Sequence, residues 1–196
     1  MGRVGASVTG ATARRGRPWN RNGVTPVTVA VMDWCKECGF EYDLSEARKA
    51  GQAIVGGVAE VAAILRARDV EVTTRPQPGT WSPLEYGCHL RDVLLVQRER
   101  VLLARRVVRP PFSPMGREER ADHDGYAEQD PDDVARQLTD AAQMFAHVLS
   151  RLGREEWDRS VMYHYPQRAE RSLQWVAVHT VHEVRHHLLD LRRQLV

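Results

Sequence analysis

Apolar residues recur with the period of an α-helix in four segments of the chain, near residues 44–68, 83–107, 131–152 and 171–194. The stretches between these segments hold most of the Pro and Gly residues, for example at 75–79 and 109–111. Helices with one apolar face must bury that face against one another. The pattern therefore predicts an all-α protein built as a four-helix bundle.

The last helical segment carries two stripes of different character. One stripe is apolar and comprises Leu173, Ala177, Val181, Val184, Leu188 and Leu191. The other holds histidines among apolar residues and comprises Trp175, Val178, His182, His186 and Leu189. In the second segment, Ser82 and Pro83 form a helix start, with a capping side chain followed by proline in the first turn. His89 then lies two turns into that helix, and we expect it to face the bundle interior.

Length and charge divide the chain into two parts. The 196 residues suffice for one domain with a proper core, and no window approaches the roughly 20 apolar residues of a membrane span. Five of the 28 basic residues and none of the 26 acidic ones precede Met32. Residues 1–32 are therefore predicted to be a disordered or mis-started basic extension, and residues 33–196 the bundle. The remaining 23 basic residues are outnumbered by the acids, so neither nucleic acid nor a membrane is an expected partner.

Four of the eight histidines crowd into nine residues of the last segment, namely His179, His182, His186 and His187. On a helix, His182 and His186 leave the same face one turn apart, which is the spacing that two metal-binding imidazoles need. The segment also satisfies H-E-x-x-H, the zinc-protease pattern. Those proteases take a third ligand well downstream, however, and only ten residues follow His186. We therefore expect the third ligand to be His89, which would leave open positions on the metal for water or substrate.

Two of these segments resemble the DinB/YfiT-like family of four-helix-bundle metalloproteins, which has W-S-x-x-E…H at the start of its second helix and H-x3-H on its fourth. Trp81, Ser82, Glu85 and His89 match the first motif, and His182 and His186 match the second. The resemblance runs from about residue 33 to the C-terminus. It implies one divalent metal ion, zinc or nickel, held by His89, His182 and His186, and a homodimer. In one thiol-dependent isomerase branch of the family, a glutamate replaces the first histidine of the fourth-helix pair. Because this chain keeps His182, that branch is not specifically indicated.

Further residues are expected around the metal. A metal-bound imidazole usually donates its other N–H to a carboxylate, and Glu85, Asp92, Glu183 and Asp190 are candidates for that role, with Glu85 preferred. His179 could line the pocket, and His187 is expected to pack or to face solvent. No catalytic residue is assigned.

The three cysteines leave several interpretations open. Cys35 and Cys38 form a C-x-x-C followed by Gly39, which is half of a zinc knuckle or a redox pair. A local disulfide, a small metal site completed by other ligands, and two reduced thiols are all compatible with this pattern. Cys88 is expected to pack in the core. This cysteine usage suggests a reducing, cytoplasmic location.

The resemblance implies a metal-dependent S-transferase or isomerase that acts on a small organic molecule with a low-molecular-weight thiol such as mycothiol, bacillithiol or glutathione. The alternative is a metal-binding bundle with hydrolase activity or a non-catalytic role in stress response or partner binding. A basic pocket able to bind the carboxylates of a thiol cofactor would favour the first. Four arginines are available for it, namely Arg91, Arg98, Arg100 and Arg185.

Overall fold

The structure is a computed structural model that describes residues 34–164 and 167–195. The prediction for residues 1–32 therefore lies outside the described residues. Within the described ranges, none of the helices combines the length and the apolar character that a bilayer span requires.

Most of the described chain is helical. The α-helices are α1 (Ala50–Arg66), α2 (Pro83–Arg106), the short α3 (Arg117–His123), α4 (Pro131–Ser150) and α5 (Leu173–Arg193). The four long helices confirm the predicted bundle. The first predicted segment is divided, because a 3-10 helix over Leu44–Lys49 leads into α1. Two shorter 3-10 helices lie at Tyr126–Glu128 and Glu156–Asp158.

Side-chain caps fix where three of the long helices begin. Ser82 and Glu85 form a complete capping box at the start of α2, with Pro83 in the first turn. Asp130 caps α4 through the N–H of Asp133, and Ser172 caps α5 through the N–H of Trp175. The caps satisfy backbone donors that have no partner within the helix. The start of α2, which sets the register of His89, follows directly from the sequence Trp81-Ser82-Pro83.

The helices are not arranged in chain order. The main packing pairs are α1 with α4, α4 with α2, α2 with α5, and α5 with α1, so α1 and α2 occupy opposite corners of the bundle. In a simple up-and-down bundle, successive helices would be neighbours. The interior is filled by fully buried side chains from all four long helices, including Ile54, Leu84, Leu90, Leu94, Leu138, Phe145, Leu173 and Leu191. This arrangement places α2 beside α5, which brings His89 towards the histidine-rich helix.

A small sheet at one end of the bundle was not predicted. Strand β1 (Pro111–Phe112) pairs in parallel with β2 (Ser160–Tyr163), which pairs antiparallel with β3 (Ala169–Ser172). Strands of two to four residues are too short to establish an alternating pattern that the sequence would reveal. The sheet buries Phe112 and Tyr163 and leads directly into α5. It therefore forms one wall beside the first turns of that helix.

Candidate metal centre

His89 lies on the buried face of α2, as its position after the capping box predicted. The residue is 3% exposed, and the Trp81 ring packs on its imidazole with ring centroids 5.2 Å apart. Burial disfavours the charged imidazolium and lowers the pKa of His89 to about 3. The imidazole is therefore neutral near pH 7, which is the form that binds a metal.

The partners of His89 on α5 are Glu183 and His187. One ligand atom from each of these three residues lies within 4.8 Å of the others. The rings of His89 and His187 are 5.0 Å apart between centroids, and His187 Nε2 lies 3.9 Å from Glu183 Oε2. The other ring nitrogen of His187, Nδ1, is 3.0 Å from Asp190 Oδ2. Two imidazoles and one carboxylate thus converge on a single point between α2 and α5.

The structure groups the predicted ligands differently from the sequence analysis. His182 and His186 share a face of α5, as predicted, but no group of potential ligands among the described residues joins them to His89. One residue along a helix turns the side chain by about 100°. The i, i+4 pair that faces α2 is Glu183 and His187, one position later than the pair the motif suggested. The ligand set therefore remains a proposal, and its geometry favours His89, Glu183 and His187.

His182 and His186 instead face the segment that precedes the bundle. Together with Cys35 and Cys38 they form a second group of ligand atoms within 4.8 Å of one another. Cys35 Sγ lies 3.7 Å from His186 Nδ1, and all three cysteines of the chain are free thiols. Burial opposes ionisation of Cys35, but the backbone N–H groups of Cys38 and Glu37 and the side chain of His182 outweigh it and lower its pKa to about 6.

The remaining predicted site residues have distinct surroundings. The Glu85 carboxylate accepts hydrogen bonds from the Arg75 guanidinium and from the N–H of Ser82, so it is committed to the helix cap. His179 is buried, stacks on Trp175 at 4.5 Å and lies 3.0 Å through Nδ1 from the Tyr42 hydroxyl. Burial lowers the pKa of His179 to about 4. Cys88 is fully buried in the core, as expected.

The Glu183 carboxylate occupies a central position. Its Oε1 lies 3.6 Å from His179 Nε2 and 3.6 Å from His182 Nδ1, while Oε2 faces His187. Burial opposes ionisation, but the neighbouring side chain of His182 and the other surrounding imidazoles hold the pKa of Glu183 well below its usual range. From its sequence position, Glu183 was expected to orient a metal ligand. The sequence feature that could have identified Glu183 as a metal ligand is its i, i+4 spacing to His187, the same spacing that separates His182 and His186.

A cavity of about 640 Å³ opens onto the histidines of α5 and onto His89. Arg100, Arg117 and Arg171 lie in its wall, together with Gln97, Tyr163 and His164. Of the four arginines proposed from sequence, only Arg100 lines this cavity. The other three have partners elsewhere: Arg91 binds Asp92 and Asp124, Arg98 binds Glu99, and Arg185 packs over Phe40. An open depression of about 1030 Å³ lies beside α2, α3 and α4, and its walls include none of the α5 histidines.

The residues at this centre fit a divalent metal ion. His89 Nδ1 is buried with no hydrogen-bond partner among the described residues, so one polar atom in the site is left unsatisfied by the protein. Two imidazoles and a carboxylate are a donor set that zinc accepts, and three protein ligands leave room for a further ligand. Asp190 orients His187 as a carboxylate orients a metal-bound histidine.

Comparison with known proteins gives two matches. A sequence model described as the DinB superfamily matches residues 58–191, which is more than half of the chain. Among solved structures, YfiT from Bacillus subtilis is similar with a TM-score of 0.62 and 15% sequence identity, over 76% of this chain and 86% of that chain. That protein is described as "a probable metal-dependent hydrolase with an unusual four-helix bundle topology". At this level of identity the likeness shows a shared fold. No curated protein matches the chain.

Proposed function

This chain belongs to the DinB superfamily, as its two sequence motifs indicated, and on that basis we propose that it is a metal-dependent enzyme. In this proposal it transfers or isomerises a small organic substrate with a low-molecular-weight thiol. The ion is zinc or nickel, and its ligands are His89, Glu183 and His187.

The observation that carries the proposal is the identity of this triad. A glutamate followed four residues later by a histidine faces His89, and these ligand atoms lie within 4.8 Å of one another. The same arrangement is implied for the thiol-dependent isomerase branch of the family, in which a glutamate replaces the first histidine of the H-x3-H motif. The presence of His182 in the motif does not exclude that branch, because His182 and His89 belong to different groups of potential ligands. The ion, when bound, would act as a Lewis acid that favours thiolate or polarises a substrate oxygen.

The cavity wall holds four glutamates, including Glu183, and three arginines, of which two are placed to bind an anionic group of a substrate or cofactor. Arg100 donates to the Tyr163 hydroxyl at 3.1 Å, to the side-chain amide oxygen of Gln97 at 3.3 Å and to the backbone carbonyl of Ser113. Arg171 packs over the Trp175 ring at 5.0 Å. Neither guanidinium forms an ion pair with a carboxylate in the described part of the chain. Burial lowers the pKa of Arg100, which still leaves it charged near neutral pH. Two charged groups without a carboxylate partner are therefore positioned to bind the carboxylates of a thiol cofactor.

His179 can hold a proton next to the triad. It is neutral near pH 7, with Nδ1 at 3.0 Å from the Tyr42 hydroxyl and Nε2 at 3.6 Å from Glu183. Because burial lowers the pKa of His179 to about 4, the ring is a weak base that would accept a proton only from a thiol whose own pKa the metal lowers, and the adjacent carboxylate would stabilise the resulting imidazolium. Tyr42 and Trp175 fix the ring, which reduces its rotation on proton transfer.

The test is a conjugation assay on protein purified without a histidine tag and loaded with zinc or nickel. Mycothiol, bacillithiol and glutathione are each offered with a chromogenic aryl halide. We expect turnover with at least one thiol and its loss in His89→Ala. Arg100→Ala should raise the KM for bacillithiol or glutathione, the two thiols that carry carboxylates, about tenfold or more, since hydrogen bonds to charged groups contribute about 1.5–3 kcal/mol. The matched control is Arg98→Ala on the same helix, whose side chain binds Glu99.

Hydrolysis is the second candidate activity, because YfiT, which shares the fold, is described in those terms. The same triad and cavity would serve it, with water in place of thiol. Metal-dependent cleavage of activated esters without any turnover of the three thiols would overturn the transferase proposal in favour of this one.

A further inference from the structure

The C-x-x-C motif has no role in the activity proposed above, although it lies directly against α5. Cys35 and Cys38 flank a turn before the bundle, and His182 and His186 face that turn from successive turns of the helix. We propose that these four residues form a second metal site, a closed Cys2His2 zinc site whose role is structural. The site is separate from His89 and His187, neither of which belongs to this group.

The distances match tetrahedral zinc. With Zn–S near 2.3 Å and Zn–N near 2.05 Å, a tetrahedral angle places sulfur and nitrogen about 3.6 Å apart. Cys35 Sγ and His186 Nδ1 are 3.7 Å apart, and all four ligand atoms lie within 4.8 Å of one another. A separation of 3.7 Å also allows a hydrogen bond to sulfur, and it agrees with the distance expected of two ligands that share one ion.

The turn that carries the cysteines has the form of a metal knuckle. The N–H of Gly39 donates to the Cys35 carbonyl, and the N–H of Cys35 donates to the Phe40 carbonyl, both at 2.8 Å. Gly39 adopts a positive φ of 70°, which glycine tolerates without strain. This internally hydrogen-bonded turn holds the two cysteines close together on the same side as α5, and cysteine binds metal as the thiolate.

Each histidine keeps one nitrogen for the metal and gives the other to a protein partner. The Nδ1 of His182 lies 3.0 Å from the Tyr42 hydroxyl, and its Nε2 is buried with no partner in the described ranges. His186 turns Nδ1 to Cys35, while its Nε2 lies 3.4 Å from Glu37 Oε2 and 3.7 Å from Asp190 Oδ2. Metal-bound histidines are held in this way, with the second nitrogen on a carboxylate or hydroxyl.

The chemistry of the group favours a closed structural site. Two thiolates balance the charge of a zinc ion, and their two protons pass to solvent on binding. Two sulfurs and two imidazoles complete a tetrahedral shell with no open position. By contrast, a Cys35–Cys38 disulfide would remove both sulfur ligands and leave the buried Nε2 of His182 without a partner.

Zinc at this position would fasten the segment before the bundle to α5. Tyr42 follows the turn that carries the cysteines, and its hydroxyl lies 3.0 Å from Nδ1 of both His179 and His182. Zinc bound to that turn would therefore hold one wall of the cavity in place. The two sites share neighbours: Glu183 reaches His187 with one oxygen and His182 with the other. Asp190 Oδ2 likewise lies near both His186 and His187.

The test uses cobalt as the probe, because cobalt bound to thiolates gives a sulfur-to-metal charge-transfer band that imidazole and carboxylate ligands do not give. The full chain is reduced, stripped of metal and titrated with Co²⁺, and then back-titrated with Zn²⁺. We expect the thiolate band together with the intense visible bands of tetrahedral cobalt. Both should be abolished in the Cys35→Ser/Cys38→Ser variant and strongly weakened in His182→Ala and His186→Ala.

Three variants separate this site from the triad and from unfolding. His89→Ala/His187→Ala should keep the thiolate band while losing one equivalent of metal, so a failure of the proposed activity leaves this result intact. Cys88→Ala, which removes the core thiol, and His147→Ala, on the exposed face of α4, should bind cobalt as wild type does. Circular dichroism of each variant establishes that it is folded. Metal binding by wild type without a thiolate band, or a band that survives Cys35→Ser/Cys38→Ser, would overturn the proposal.

Discussion

The imidazole of His89 meets that of His187 edge to face, with ring centroids 5.0 Å apart. One ring comes from α2 and the other from α5, which are neighbours because α1 and α2 lie at opposite corners of the bundle. The contact defines which pair on α5 faces α2, and it places Glu183 rather than His182 at the shared point.

Removing either ring should empty the triad. In a Cys35→Ser/Cys38→Ser background, which isolates this site, we expect about one equivalent of zinc in the parent and close to none in His89→Ala or His187→Ala. Elemental mass spectrometry of protein purified without a histidine tag measures the content. His147→Ala in the same background is the control. Full zinc content in His187→Ala, together with its loss in His182→Ala, would restore the ligand pair that the sequence motif suggested.

Asp190 should tune the triad through His187. Its Oδ2 lies 3.0 Å from His187 Nδ1, and removing such a partner of a metal ligand typically weakens metal binding about 10–100-fold. We expect Asp190→Asn to reduce zinc affinity by that factor, measured by competition with a chromogenic chelator in the same double-serine background. Asp140→Asn on α4 is the control. Equal affinity in the two variants would contradict an orienting role for Asp190.

Two adjacent glycines of α1 should respond in opposite ways to alanine. A Cβ added at Gly57 would lie 2.6 Å from Val184 Cγ1, whereas one added at Gly56 would meet nothing within 4 Å. We expect Gly57→Ala to destabilise the protein, because overpacking typically costs about 1–3 kcal/mol. Gly56→Ala should stabilise it by about 0.5–1 kcal/mol through helix propensity. Chemical denaturation measures both free energies of unfolding. Similar stabilisation by both changes would mean that α1 and α5 do not pack this closely.

A buried hydroxyl on the other side of α2 should contribute to stability. The Tyr126 hydroxyl donates to Asp92 Oδ2 at 2.8 Å, and Tyr126 is fully buried. Tyr126→Phe leaves that acceptor short of a donor, for which we expect a loss of about 1–3 kcal/mol in the free energy of unfolding. Tyr86→Phe is the control, because the Tyr86 hydroxyl forms no hydrogen bond with any described residue. Equal changes in the free energy of unfolding for Tyr126→Phe and Tyr86→Phe, measured by urea denaturation, would show that the hydrogen bond to Asp92 does not stabilise the protein.

Local sequence signals predicted the helices and the placement of His89. Ser82, Pro83 and Glu85 are adjacent in the chain, so the capping box that sets the start of α2 could be inferred from sequence. The strands around Phe112 and Tyr163 could not, because each is stabilised by pairing with a distant segment rather than by its own pattern.

The sequence by itself determined a four-helix bundle with a histidine-rich last helix, a capped second helix that buries His89, and an isolated C-x-x-C turn. Those features depend on neighbours in the chain and on helical period. Only the tertiary structure decided which histidines lie close together. Successive residues of α5 point about 100° apart, so the rotation of this helix about its axis selects either His182 and His186 or Glu183 and His187 to face α2. That rotation is set by the packing of α5 against α1 and α2, as where Val184 meets Gly57, and no local signal encodes it.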